Sequence, residues 1–253
     1  MIRAFNARYP PAVVSIRPIH ERQPFTMFDF LFAYFSGFFG GLVVALVLGP
    51  VADGATLLVA SLIGHHAGQL LALAIVLRRQ NSSFGALGLH VEPSDGVYLI
   101  AGVVLQIAIA AAFIPVARWT GAEGSTQSLI YEIPSVEGTI LRAGLVLSLG
   151  LLTPVTEELL FRGLLPQVLG RWMSQGMSFV LAALFFAVFH LVGVTAENIV
   201  QSMVLLLPQL FIIGLILGWQ TMRRRRLGVA IFIHAGFNLV LVLALLFAPE
   251  TLG

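Results

Sequence analysis

The sequence predicts an all-α, polytopic helical membrane protein of about seven transmembrane helices, and three observations lead there. Of its 253 residues, 58% are hydrophobic and 10% charged, far from the balance of a soluble domain. Seven apolar segments approach the roughly 20 residues that a bilayer crossing requires. The arginines gather on one side of those segments, the bias that orients membrane helices.

The same composition excludes several classes. Every basic residue is arginine, and a formal net charge of +2 gives no reason to expect nucleic acid as a partner. The chain has no cysteine, so disulfides, thiolate metal sites and a cysteine nucleophile are ruled out.

In chain order, residues 1–26 carry Arg3, Arg8, Arg17 and Arg22 with several prolines and read as a cytoplasmic N-terminal tail. The apolar run after them is too long for a signal-peptide core and lacks a clear small-x-small cleavage site, so it reads as a retained first span near 27–49. Further spans fall near 56–77, 97–117, 139–168, 177–194, 199–221 and 227–248. The tail, Arg78, Arg79, Arg171 and the run 223–226 share one side; Asp53, Arg118, Glu123, Glu132, Glu137, Glu197 and Glu250 share the other. The positive-inside rule then places the N-terminus in the cytoplasm and the C-terminus outside, with the cell inner membrane as the expected location. Arg142 is the one contrary vote.

No loop is large enough to fold separately, so residues 27–253 read as one helical membrane domain. The connections 80–96 and 119–138 read as plain loops, with Phe84, Leu87 and Leu89 as candidates to dip into the interface and gate a substrate. Asp29 and Glu197 are expected to be solvated at span ends. The run 223–226 reads as a topology anchor with anionic-lipid contact. His65 and His66 point about 100° apart on a helix; beside Gly64, Ala67 and Gly68 they read as small-residue packing with histidines bonded across helices.

The chain is organised around Thr153-Pro154-Val155-Thr156-Glu157-Glu158-Leu159-Leu160-Phe161-Arg162. A charged residue at the centre of a membrane helix costs about 2.5–3.5 kcal/mol on insertion scales, so three together need internal partners and usually a function. Glu158 and Arg162 are i,i+4 neighbours and form a natural ion pair. Glu157 lies about 100° round the helix and is the free carboxylate.

Two further spans add polar groups: His190, after Phe186-Ala187-Val188-Phe189, and the i,i+4 pair His234 and Asn238 around Gly236. Glu157 lies about 14 residues, roughly 21 Å, inside Arg171, and His190 about 14 residues in from the Gln175-Gly176 break that starts its span. His234 and Asn238 lie about 8 and 12 residues beyond Arg226, so three helices bring these groups to overlapping depths. One carboxylate, two imidazoles and a carboxamide suit activation of water, with Glu157 or His190 taking the proton and Asn238 with a histidine N–H stabilising an oxyanion. The set equally offers a zinc site of Glu157, His190 and His234 with an open fourth position.

Glu157-Glu158-x-x-x-Arg162, Phe186-x-x-x-His190 and His234-x-x-x-Asn238 together resemble the signature of the CPBP (Abi) family of intramembrane proteases, related to the type II CaaX prenyl protease. The three motifs occur in order across about 139–248, and Leu87-Gly88-Leu89 is a faint supporting match. The resemblance implies intramembrane proteolysis in which Glu157 and His190 activate water, His234 and Asn238 bind the oxyanion, and Glu158 with Arg162 hold the site. It implies a membrane-protein or lipidated peptide as substrate and membrane lipids as surroundings. It leaves a divalent metal such as zinc as a possible rather than a required cofactor. Two other classes were weighed: a non-proteolytic membrane scaffold or immunity protein of the same family, and a proton- or metal-coupled transporter. A scaffold has no need of costly buried polar groups, and a transporter more often shows paired halves with interrupted helices.

Overall fold

The computed structural model describes residues 25–120, 132–192, 194 and 199–248. The expected tail therefore lies almost wholly outside the described residues, as do Glu123, Glu197 and Glu250. The described chain is helical, with six helices long and apolar enough to cross a membrane and a seventh that is shorter.

Helix α1, Met27–Leu48, opens with a reciprocal cap: the Thr26 side chain accepts from the Asp29 backbone N–H, and the Asp29 carboxylate accepts from the Thr26 N–H at 2.8 Å. Asp29 is thus buried rather than solvated, because the cap satisfies its charge locally. Helix α2, Gly54–Arg79, starts on Asp53, which accepts the Thr56 N–H at 2.7 Å. The two helices form an antiparallel hairpin in which Gly40 faces the Gly64 carbonyl and Gly68 faces the Ser36 carbonyl. A Cβ at either position would collide with backbone, so the small residues set the closeness of the pair. Helix α3, Tyr98–Thr120, crosses helix α7, Gly228–Phe247, in the same way, with Gly102 and Gly236 at the contact.

Helix α4, Thr139–Leu169, is the central span. Its second half is buried all round, with Leu159, Leu160, Phe161, Leu164, Leu165 and Val168 sealed from the surface, as expected of a helix enclosed by others. The regular α winding gives way twice to wider π turns, at Ser148–Leu152 and Leu159–Leu164. Each precedes a proline, Pro154 and Pro166. A proline has no N–H and its ring clashes with the carbonyl four residues back; those carbonyls belong to Gly150 and Arg162, each inside a widened turn. The prolines thus give a local reason for the π turns, which flank the Glu157-Glu158 pair.

Helix α5, Gln175–Phe189, has 15 residues, so the expected span over 177–194 stops short. The His190 imidazole explains the stop: its Nδ1 bonds the Phe186 carbonyl at 2.7 Å, displacing the backbone N–H, which turns to the Ala187 carbonyl at 3.3 Å. The last turn tightens and the helix ends. The expected sixth span divides into a short piece, Ile199–Val204, and helix α6, Leu206–Arg224, because Pro208 denies Val204 its continuing hydrogen bond. α5 and α6 pack antiparallel, with Gly214 on Ala183 and Gly218 on Phe179.

The segment 80–96 docks on the helical core. Leu87 is buried at 2% exposure and lies on Gly163 of α4, while the Gln167 amide donates to the Ala86 carbonyl at 3.0 Å. Gly88, left-handed at φ +88°, offers its carbonyl to Leu227 N–H at 2.8 Å. Buried Asp95 forms a two-pronged ion pair with Arg226, with Oδ1 to Nη2 at 2.7 Å, and Glu92 joins Arg226 at 3.1 Å. Arg226 therefore fastens this segment to the α6–α7 turn rather than serving only as a lipid anchor.

Candidate active site

Three helices deliver the site. α4 supplies Glu157 and Glu158 from the six-residue α turn between its π segments. His190 is presented by the C-terminal end of α5 and His234 by the buried face of α7.

Each histidine is held by one nitrogen and offers the other. His190 Nδ1 must donate, since its partner is a carbonyl oxygen, so in the neutral ring Nε2 carries the lone pair. That atom faces Glu157 Oε1 at 3.6 Å. His234 Nδ1 bonds Glu158 Oε1 at 2.9 Å, and its Nε2 faces Glu157 Oε2 at 3.5 Å. The Glu157 carboxylate is therefore flanked by two imidazoles, one on each oxygen, and the buried Oε2 has no hydrogen-bond partner. Acceptors turned toward one another require donors, and a water molecule carries two O–H bonds.

Glu158 is wholly buried and accepts from Arg162 Nη1 at 3.0 Å on the same oxygen that holds His234. The Arg162 guanidinium lies over the Phe186 ring at 4.3 Å, and the ring also packs against His190 and His234. The i,i+4 pairing inferred from sequence is present, and it extends to orient His234. Asn238 lies one turn beyond His234 and donates from Nδ2 to the Leu149 carbonyl at 3.1 Å, which ties α7 to the first π turn. Its amide has a second N–H beyond that bond.

The donor types of a zinc site are here, but the two Nε2 atoms address different oxygens of Glu157. Among the described residues no group of three His, Cys, Asp or Glu side chains stands at metal-holding geometry; Glu157, His190 and His234 are the side chains that would hold such an ion.

Two contacts from the α1–α2 hairpin went unread in the sequence. His66 is buried and bonds Thr156 Oγ1 through Nδ1 at 3.2 Å and Thr153 Oγ1 through Nε2 at 3.1 Å. Cross-helix bonding was expected of it, but its partners were not. Tyr34 donates its hydroxyl to the Phe189 carbonyl at 3.3 Å and lays its ring on Phe189 at 4.4 Å. Nothing in the sequence marks Tyr34, which sits in an aromatic-rich apolar run.

In comparison with known proteins, residues 139–240 match the family described as Type II CAAX prenyl endopeptidase Rce1-like. This segment is similar to that family. The Rce1-related segment holds α4, α5, α6 and the start of α7, and so contains Glu157, His190, His234 and Asn238, with α1 to α3 outside it. No curated protein and no solved structure matched the chain.

Proposed function

We propose that this chain is an intramembrane endopeptidase that hydrolyses a peptide bond of a membrane-embedded or lipid-anchored polypeptide, using water activated by Glu157 and His190. The observation that carries this reading is the placement of two imidazole nitrogens, one from the end of α5 and one from α7, against the two oxygens of one carboxylate, at 3.6 and 3.5 Å. A water held between Glu157 and His190 gives one proton to that pair as its oxygen attacks the scissile carbonyl carbon. The carbonyl oxygen becomes an oxyanion, which receives the second N–H of Asn238 and an N–H of His234. The proton taken from water then passes to the leaving nitrogen as the C–N bond breaks, giving a carboxylic acid and an amine. Every proton in the cycle moves between water, substrate and side chains of this chain. Glu158 and Arg162 hold the architecture. In this reading the chain sits in the inner membrane with its arginine-rich ends, and hence its N-terminus, toward the cytoplasm and its C-terminus outside.

The test compares membrane-protein termini by mass spectrometry in cells expressing wild type or E157Q at equal levels, a substitution that keeps shape and removes the base. New termini confined to wild type are expected, and they name the substrate. Identical profiles from the two, with a wild-type phenotype persisting in E157Q, would sink the catalytic reading in favour of a scaffold. Proton- or metal-dependent transport lost in E157Q would favour a transporter instead.

A further inference from the structure

We infer that the α1–α2 hairpin, outside the Rce1-related segment, sets the position of Glu157 relative to His190, with Tyr34 and His66 as positioning residues. The inference rests on the protease reading for its consequences, but its geometry stands apart from that reading.

The argument begins with what holds each half of the dyad. Glu157 sits in a turn bounded on both sides by π segments, where the backbone ladder is irregular and the regular α hydrogen bonds that fix helical rotation are interrupted. Thr153 and Thr156 lie on this turn, and both ring nitrogens of His66 are spent on them. A side chain bonded at two points to one turn resists its rotation as well as its displacement. His190 sits at a different weak point, the end of α5, where carbonyls lack their i+4 donors. Among the described residues the Phe189 carbonyl receives a 3.3 Å bond from Val192 N–H and a 3.3 Å bond from Tyr34. The Tyr34 ring, stacked edge-on against Phe189 and Phe161, braces the same spot sideways.

Both gripping residues belong to one rigid body. α1 and α2 are locked by Gly40, Gly64 and Gly68 at backbone contact, so Tyr34 and His66 move together or not at all. The hairpin thus links two elements of the core that carry their chemistry at irregular, weakly tethered points. The threonines are not left unsatisfied without His66: a neutral ring donates to one hydroxyl and accepts from the other, and with it removed both can donate to the Ser148 and Leu152 carbonyls, at 3.1 and 3.0 Å. Removing the grip should therefore loosen the geometry without unfolding the helix.

The test uses the full chain in lipid nanodiscs. Y34F deletes only the hydroxyl; H66F keeps a ring and deletes both nitrogens; H66Q restores a donor and an acceptor. The first readout is carbethoxylation of individual histidines by diethyl pyrocarbonate, followed by mass spectrometry. Exposed His90, with 59% of its side chain accessible, serves as the internal reference. Expected are severalfold faster modification of His190 in Y34F, and of His190 and His234 in H66F, with His90 unchanged and H66Q close to wild type. The second readout is cleavage of the peptide named by the terminus comparison. Small displacements of reacting groups are costly, so kcat is expected to fall about tenfold or more in Y34F and H66F, with KM unchanged and H66Q largely rescued. Wild-type histidine reactivity in both Y34F and H66F overturns the inference, as does wild-type cleavage by both. If E157Q and wild type share one terminus profile, the protease reading fails, and histidine reactivity alone then decides whether the hairpin positions the dyad.

Discussion

Glu158 carries more of the site than its place in the motif suggests. One of its oxygens serves both Arg162 and His234, the other is buried without a partner, and the whole residue is sealed from the surface. A buried pair broken from one side leaves an uncompensated charge, which costs about 3–5 kcal/mol, whereas replacing both partners by apolar groups is far cheaper. R162M alone is therefore expected to lower thermal stability in detergent strongly, and E158L/R162M to recover part of the loss. The double substitution should stay inactive, because His234 then has nothing to orient it. Glu157 calls for a different measurement. If Glu157 and His190 activate water unaided, cleavage is expected to survive exhaustive chelation. Loss on chelation, restored by zinc, would instead assign Glu157, His190 and His234 as ligands.

Among the elements, α4 and the α3–α7 crossing do the shaping. The i,i+4 relation of Glu158 and Arg162 was legible because helical spacing survives the local widening, and the ion pair forms at 3.0 Å. The π turns were not read, although Pro154 and Pro166 were visible signals: one proline inside a helix usually suggests a kink, and only the neighbours decide between a kink and a wider turn. The early end of α5 escaped notice for a related reason, since the hydropathy beyond His190 continues while the hydrogen bonds do not. At the α3–α7 crossing, a Cβ on Gly236 would run into the Leu99 carbonyl and lie 3.2 Å from the Gly102 Cα. G236A is expected to force the helices apart and cost about 1–3 kcal/mol, seen as a lower unfolding temperature. It should also impair cleavage, because His234 and Asn238 share that helix; unaltered stability in G236A would show that the crossing is slack.

The whole molecule is turned inside out relative to a soluble protein. His66, Glu158, Arg162 and His234 are buried, while Phe28, Phe39 and Leu46 stand more than two-thirds exposed. In a bilayer this is the favourable arrangement, since lipid solvates the aromatic exterior and the interior pairs the polar groups. The same inversion explains how the protein keeps ionisable groups at depth without a water-soluble domain around them. It also gives the α1–α2 hairpin its importance, because polar contacts from α2 and α1 are the ones that reach across to the Rce1-related segment near Glu157 and His190.

The sequence by itself determined the membrane class, the helical architecture and the pairing of Glu158 with Arg162. Each of these follows from composition or from spacing along a single helix, which the chain carries locally. Tertiary structure alone decided that Leu87 docks on α4 and that Tyr34 and His66 reach the motif. It also decided which nitrogen of each histidine is free. Those outcomes depend on which residues from distant segments meet, and a hydrogen bond between positions 66 and 156 has no trace in the periodicity of either helix.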